Sequence, residues 1–275
     1  MGVFYETIPA TLSPWILKQR MFWVATAPLS GSGHVNVSPK GGEYFGLLDD
    51  RTFWFLELTG SGCETLSHLH EPGNRRITIM LSAFEGAPKI VRLWGKGRVL
   101  ENKTPEFDSF VRDNSVKVIP GTRSIILVDI HQVGTSCGFS VPFYEFKAHR
   151  DTLNEYYRKK DEKFKGGNEK ESMDLYWAQN SQSSMDGLPG MKRAGIIAQQ
   201  QNIAQKRKMI GPLAPKNLRP MIKFPSKTTV LIVIASFILG ILFSLLVENI
   251  KAGAYDLGQV VRGASSNSSV DWAEL

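Results

Sequence analysis

Two short stretches of this 275-residue sequence carry the residue types and spacing that can hold an anion. The first is Thr59-Gly60-Ser61-Gly62-Cys63-Glu64-Thr65-Leu66, a Gly-rich turn between a strand-like run and a short helix-like one. A helix start offers unpaired N–H groups and a partial positive charge. Glycines let a phosphate approach the backbone, and the Thr59 and Ser61 hydroxyls add donors. The second stretch is His34-Val35-Asn36-Val37-Ser38-Pro39-Lys40-Gly41-Gly42, in which Lys40 can point an ammonium at a phosphate. Together they nominate Ser38, Lys40, Thr59, Gly60, Ser61 and Gly62 as a cofactor-binding set. Each stretch also has a plainer reading, the turn as a helix cap and Lys40 as a surface lysine.

Other chemistries lack their patterns. The turn is followed by no Gly-Lys-Ser/Thr, so it is not a P-loop, and the third glycine of a dinucleotide fingerprint is missing. Ser61 has no GxSxG frame around it. His68 and His70 stand one residue apart on an expected helix and diverge, while Cys63 and Cys137 have no zinc-ligand spacing. No metal site is expected, and the sequence assigns no catalytic residue. Arg75, Arg76, Arg92, Lys96 and Arg98 could add positive charge, although the alternation from Arg92 to Arg98 equally suits a solvated strand face. Trp54, Phe55, Phe84 and Trp94 read as core.

The elements that must position these residues are mostly short strands. Runs at 21–27, 34–38, 52–58, 76–83, 90–100 and 124–131 are β-rich and mostly bounded by Gly, Pro, Asp or Asn, which predicts six strands in a barrel or sandwich. Helices are expected at 14–20 behind Ser13, at 64–70, at 105–112 behind Thr104, and at 151–163. Hydrophobic residues make up 42% and charged residues 21%, enough for one substantial core and too polar for a multi-span membrane protein. The net charge of +7 is regional, because 187–247 holds no acidic residue. Two cysteines in a chain this long give no disulfide framework and fit a reducing compartment. The N-terminus lacks a signal-peptide pattern, and Glu6 stands where a myristoylation motif wants Ser or Thr.

Positions 228–247 form an uncharged run of twenty residues, long enough at about 1.5 Å per residue to cross roughly 30 Å of hydrocarbon. They predict a single transmembrane helix. Lys208, Lys216, Arg219, Lys223 and Lys227 precede it, against Lys251 and Arg262 after it, so the N-terminal part is expected in the cytosol and the tail in a lumenal or extracellular space. Asn267-Ser268-Ser269 is a possible glycosylation sequon there. The basic residues before the run are interleaved with Gln, Ala, Pro and Ile and lack a stacking aromatic series, which favours anionic lipid over nucleic acid.

The ordered set Val35–Gly42, Leu58–Gly62, Pro72-Gly73-Asn74, Ala83–Gly86, Arg92–Gly97, Cys137–Pro142 and Asp186–Gly190 resembles the pyridoxamine 5'-phosphate oxidase-like, FMN-binding split-barrel family, especially a fungal branch of it. The likeness covers about residues 1–192. It implies a six-stranded split barrel that forms a homodimer and holds FMN at the subunit interface. By position, Lys40 is similar to the family's lysine at the end of the second barrel strand and Ser61 to its phosphate-contacting serine, while Leu56 and Glu57 lie where the oxidase proper uses Tyr and Thr. Gly62-Cys63 stand where that enzyme has Arg-Lys, and Val35 replaces its strand arginine. Each charge-assisted bond to a phosphate is worth about 1.5–3 kcal/mol, so these departures weaken FMN binding. The His and Arg that grip a pyridoxal substrate are not found, so vitamin B6 oxidation is not carried over.

The expected protein is therefore mainly β, a six-stranded split β-barrel with short peripheral helices over 1–192, then a basic Pro-containing linker at 193–227, a transmembrane helix at 228–247 and a short tail at 248–275. The expected function is a membrane-anchored FMN-dependent oxidoreductase acting on a small-molecule substrate, with no nucleic acid partner. A non-enzymatic scaffold that has lost its cofactor, or a barrel for another planar anionic ligand such as F420 or haem, stands beside it.

Overall fold

The computed structural model describes residues 2–206 and 235–243. Within 2–206 the strands are β1 (Val3–Tyr5), β2 (Met21–Thr26), β3 (Asn36–Gly41), β4 (Phe45–Leu47), β5 (Thr52–Leu58), β6 (Arg76–Ser82), β7 (Ile90–Glu101) and β8 (Thr122–Ser136). They form one antiparallel sheet in the order β3-β2-β6-β7-β8-β5-β4, with β1 added to β8. The expected six strands are thus corrected to eight. Both additions, β1 and β4, are three residues long, too short to show a period of two.

The sheet curls until its ends approach each other. Phe22 on β2 lies 5.1, 5.3 and 5.5 Å, ring centre to ring centre, from Phe45, Phe53 and Phe55 on β4 and β5. Alternation builds this interior: β2 buries Phe22, Val24 and Thr26, while β6 buries Ile77, Ile79 and Leu81. The closure is incomplete, since no hydrogen-bonded ladder joins β3 to β4 or β5 among the described residues. That gap is the seam of a half-open barrel.

Within 2–206, six α-helices surround the sheet: α1 (Ser13–Lys18), α2 (Glu64–His70), α3 (Pro105–Asp113), α4 (Thr152–Lys165), α5 (Met173–Asn180) and α6 (Lys192–Gln200). Thr104 caps α3 by accepting from the Phe107 N–H at 3.3 Å, and Pro105 begins the helix where its missing N–H costs nothing. Phe107 and Phe110 of α3 cover Leu56, Leu100, Ile125 and Leu127 on the outer face of β5, β7 and β8. This is why β5 is buried on both faces. Trp177 and Ala194, from α5 and α6, pack on Leu66 of α2. Glu101 ties the layers together, accepting from the Lys192 and Arg193 amides at the start of α6 at 2.7 and 3.1 Å and meeting His70 Nε2 at 3.1 Å.

The expected transmembrane helix requires a correction. No helix among the described residues is long and apolar enough to cross a membrane, which overturns the single-pass assignment and the cytosolic and lumenal placement derived from it. Positions 235–243 of the 228–247 run are helical with exposed side chains; the rest of that run, Asn267 and the 248–275 tail lie outside the described residues. Of the expected linker, 193–206 is described, and its first residues belong to α6.

The Asp186–Gly190 turn closes a tight loop in which the Gly190 N–H donates to Gln182 O and the Met191 N–H to Ser181 O. A Cβ on Gly190 would lie 2.4 Å from Ser181 O and 2.7 Å from Cys63 Sγ, with backbone on one side and a buried thiol on the other. Gly190→Ala is therefore expected to destabilise the domain by about 1–3 kcal/mol, read as a lower midpoint in urea at unchanged slope.

Candidate functional site

The chemistry-bearing residues meet at the seam. On β3, Asn36, Ser38 and Lys40 share the half-buried face, while Val37, Pro39 and Gly41 face solvent. Lys40 reaches across the seam to β5, where its Nζ lies 2.8 Å from Glu57 Oε2 as an ion pair outside hydrogen-bond angle. The other oxygen of Glu57 accepts from Arg123 Nη2 at 2.7 Å, and Arg123 Nη1 donates to Gly62 O at 2.6 Å. Glu57 is 1% exposed and Arg123 3%. One buried carboxylate thus joins β3 to β5 across the seam and, through Arg123, reaches the Gly-rich turn.

Two opposing effects set the charge of Glu57. Burial pushes its carboxyl up, but Lys40 and Arg123 outweigh burial and hold it below the ordinary carboxylate value, so it is ionised at neutral pH. Three other side-chain polar atoms nearby remain buried without a hydrogen-bond partner among the described residues, Ser38 Oγ, Arg123 Nε and Ser124 Oγ.

The Gly-rich turn is less open than its sequence suggests. Thr59 Oγ1 donates to Gly121 O at 2.6 Å and accepts from Trp177 Nε1 at 2.9 Å, so its hydroxyl serves the packing of α5. Ser61 faces solvent, and the Gly62 carbonyl is taken by Arg123. Glu64, in the first turn of α2, accepts from the Met185 N–H at 3.0 Å. Its Oε1 lies 2.9 Å from where a Gly62 Cβ would stand. The five other cations weighed from sequence do not come to the seam: Arg75, Arg76 and Lys96 bond around the Asn74 turn, Arg92 bonds Ser136 on β8, and Arg98 stays on the exposed face of β7.

Beside the seam runs a groove of about 1500 Å³. Lys40, Thr59 and Gly60 line it, whereas Ser38, Ser61 and Gly62 do not. Trp23, Phe84 and Tyr144 form an aromatic wall, with ring centres 5.9 Å apart for the first two and 5.3 Å for the second pair. Phe84 is thus a groove residue rather than core. Sequence reading overlooked Arg123 and the carboxylate it meets. The signal was Glu57 itself, a lone charge inside the apolar run Phe53-Trp54-Phe55-Leu56-Glu57-Leu58, which demands a buried cation.

No family model matches the chain. A relative from Aspergillus flavus, "Pyridoxamine 5'-phosphate oxidase family protein ustO", is 37% identical over 202 residues, covering 70% of this chain and 80% of the relative. The chain belongs to the pyridoxamine 5'-phosphate oxidase family.

Solved structures are more distant. HupZ from Group A Streptococcus covers 46% of this chain and 91% of its own at 19% identity, with a TM-score of 0.35. An FAD binding protein from Mycobacterium smegmatis covers 48% and 97% at 12% identity, with a TM-score of 0.32. Likenesses at that level say nothing of a ligand. Family membership therefore rests on the fungal relative, and the site on the geometry at the seam.

That geometry makes Glu57 the residue on which closure of the seam depends in this family member. Removing one partner of a buried ionic cluster costs about 3–5 kcal/mol, the change expected for Glu57→Ala in chemical denaturation. The folded carboxyl titrates below its unfolded value, so its stabilisation is present above the ordinary carboxylate pKa and is lost as pH falls through the depressed value. The stability difference between the wild type and Glu57→Ala should accordingly be constant near neutrality and shrink in acid; a difference that grows on acidification contradicts this account.

Proposed function

We propose that the protein is a flavin-dependent oxidoreductase of the pyridoxamine 5'-phosphate oxidase type, acting on a small-molecule substrate from the groove beside the seam. The observation that carries this reading is the groove itself, an aromatic-walled cleft with Lys40 and Gly60 on its rim in a chain of this family. Binding sites are typically clefts of about 300–1,000 Å³ with apolar walls and a few convergent polar groups. At about 1500 Å³ this groove has space for a planar ring system and a second small molecule.

The residues present fit the ring of a flavin, and Lys18, Arg20, Lys89, Lys117 and Arg150 add positive charge to the groove's lining that would suit its phosphate. Trp23, Phe84 and Tyr144 offer an apolar wall of rings inclined at 56° and 68° to their neighbours, and Lys40, Thr59 and Gly60 would flank the ligand where β3 and β5 approach. Ser38, Ser61 and Gly62 complete the nominated set from outside the groove. A flavin, once bound, supplies a ring that takes up and returns electrons in pairs. The chain's own part is to exclude water with the aromatic wall and to present hydrogen-bonding groups. His149 also lines the groove, and its Nε2 is buried with no partner among the described residues, so it would offer a ring nitrogen to a substrate.

FMN is the form that the family resemblance implies. A non-enzymatic scaffold is the second reading, favoured by the commitment of the Thr59 hydroxyl, Arg123 and the Gly62 carbonyl to internal bonds. The full-length chain is expected to carry flavin absorbance when purified, or to quench the fluorescence of added flavin. A colourless protein that leaves added flavin unquenched removes the oxidoreductase reading and leaves the scaffold.

The homodimer is part of the same proposal. Strand β3 ends the sheet, and Val35 beside it and Val37 within it are 71% and 60% exposed, the kind of apolar edge that pairs with another chain. Light scattering is expected to return twice the chain mass, and Val37→Lys to lower it toward one; an unmodified chain that scatters as a monomer at micromolar concentration defeats the dimer.

A further inference from the structure

The cations along the groove fall into two groups, and strand pairing separates them. Ile90, next to Lys89, pairs with Ser136 at one end of β8, whereas Leu58, next to Thr59, pairs with Thr122 at the other. At the Ser136 end Lys89 Nζ lies 5.5 Å from the centre of the Trp15 ring, on the helix that also carries Lys18. Arg20, which follows that helix, stands 4.9 Å over the Phe146 ring and 4.0 Å from a Glu43 oxygen. Arg150 ends the run over the surface that the Phe146 N–H ties to this same end, donating to Glu85 Oε1 at 3.1 Å.

Lys117 belongs to the Thr122 end. Its neighbour Val116 joins the apolar cluster on which Leu58 packs, and Gly121, closing the same loop, accepts from both the N–H and the hydroxyl of Thr59 at 2.8 and 2.6 Å. Val116, Lys117 and Ile119 therefore line the groove together with Leu58, Thr59 and Gly60. The exposed Lys117 ammonium has neither an ion pair nor a hydrogen bond among the described residues. A Cβ on Gly60 would meet nothing within 4 Å, so its backbone faces open space. Lys40 and Arg123 share the single carboxylate of Glu57, and that cluster keeps one positive charge.

We propose that Lys117 is the phosphate-binding cation of the flavin site, holding the phosphate above Gly60 with Lys40 as a second, partly neutralised charge. This rests on the flavin reading and assigns the end of the groove that takes the tail. A ring against Phe84 sits beside Lys89, because the Ala83 N–H donates to Lys89 O at 2.9 Å across the hairpin. The ribityl tail separates phosphate from ring, which carries the phosphate away from Lys89 and toward the Gly-rich turn. The loop after α3 thus supplies a cation at a turn where Gly62 and Cys63 offer none. Nearby carboxylates do not cancel it: Glu57 is shared by two cations, and Glu64 accepts from the Met185 N–H.

The experiment compares FMN with riboflavin on the full-length chain by fluorescence quenching. The wild type is expected to bind FMN about tenfold or more the tighter at low salt, with the ratio falling as salt rises. Lys117→Met is expected to weaken FMN by about tenfold and leave riboflavin unchanged, and Lys117→Arg to restore the preference. An unchanged urea midpoint shows that the variant, altered at an exposed position, still folds. Lys89→Met is the opposing arm: loss of the FMN preference there, with Lys117→Met retaining it, overturns the assignment. Equal binding of the two flavins by the wild type, or an equal effect of Lys117→Met on both, overturns it too and leaves the flavin reading intact. Failure of both flavins to bind the wild type removes the flavin reading and this inference with it.

Discussion

A sheet that curls until β3 approaches β5, with no ladder between them among the described residues, must close the gap with side chains. Here the closure is Glu57 between Lys40 and Arg123. A buried carboxylate is tolerated only when paired, and that requirement fixes three elements at once. Lys40 sets how near β3 comes to β5, Arg123 sets where the start of β8 stands, and the bond from Arg123 to Gly62 O sets the path of the Gly-rich turn. The groove exists because β3 and β5 are held at this distance rather than zipped together.

The segment after β8 completes the same site from behind. Trp177 on α5 donates to Thr59 Oγ1, Met185 N–H donates to Glu64, and Glu101 receives the first amides of α6. Burial raises the Glu101 carboxyl, but the His70 contact and those amides outweigh it and keep it below the ordinary value, so it serves as an ionised cap for α6. The Gly-rich turn, an attractive cradle in isolation, is therefore enclosed by the chain's own polar groups. Residues 139–146 run over the surface between β8 and α4, and Tyr144 and Phe146 from that run help roof the groove.

Much of this was legible where local pattern and tertiary demand agree. The expected runs at 52–58 and 64–70 coincide with β5 and α2, because alternation and a Gly-rich break mark both sharply. The expected 34–38 run lies two residues early against β3, since Pro39 discourages extension through a position that an edge strand tolerates. Strand β8 outruns its expected 124–131 because its far end, through Gly134 and Ser136, is shaped by β1 and β7 rather than by its own alternation. Helices α5 and α6 escaped notice because their packing on α2 is a long-range property. For the site, Lys40 and Gly60 of the nominated set line the groove, whereas the fate of the Thr59 hydroxyl depends on Trp177, 118 residues away.

The buried charges are not required for stability as such. Replacing a buried ionic cluster by well-packed apolar residues is often neutral or stabilising, so a seam closed by leucines would hold as firmly. Charges add selectivity of register. Side chains alternate across a strand, so a one-residue slip of β3 would turn Lys40 to the solvent face now held by Pro39 and Gly41 and bring an apolar neighbour against Glu57. Glu57 would keep Arg123 but lose its second cation, while an apolar seam would accept either register. An edge strand with no partner on one side among the described residues is where slippage within the chain is least restrained, and the ion pair supplies the restraint there.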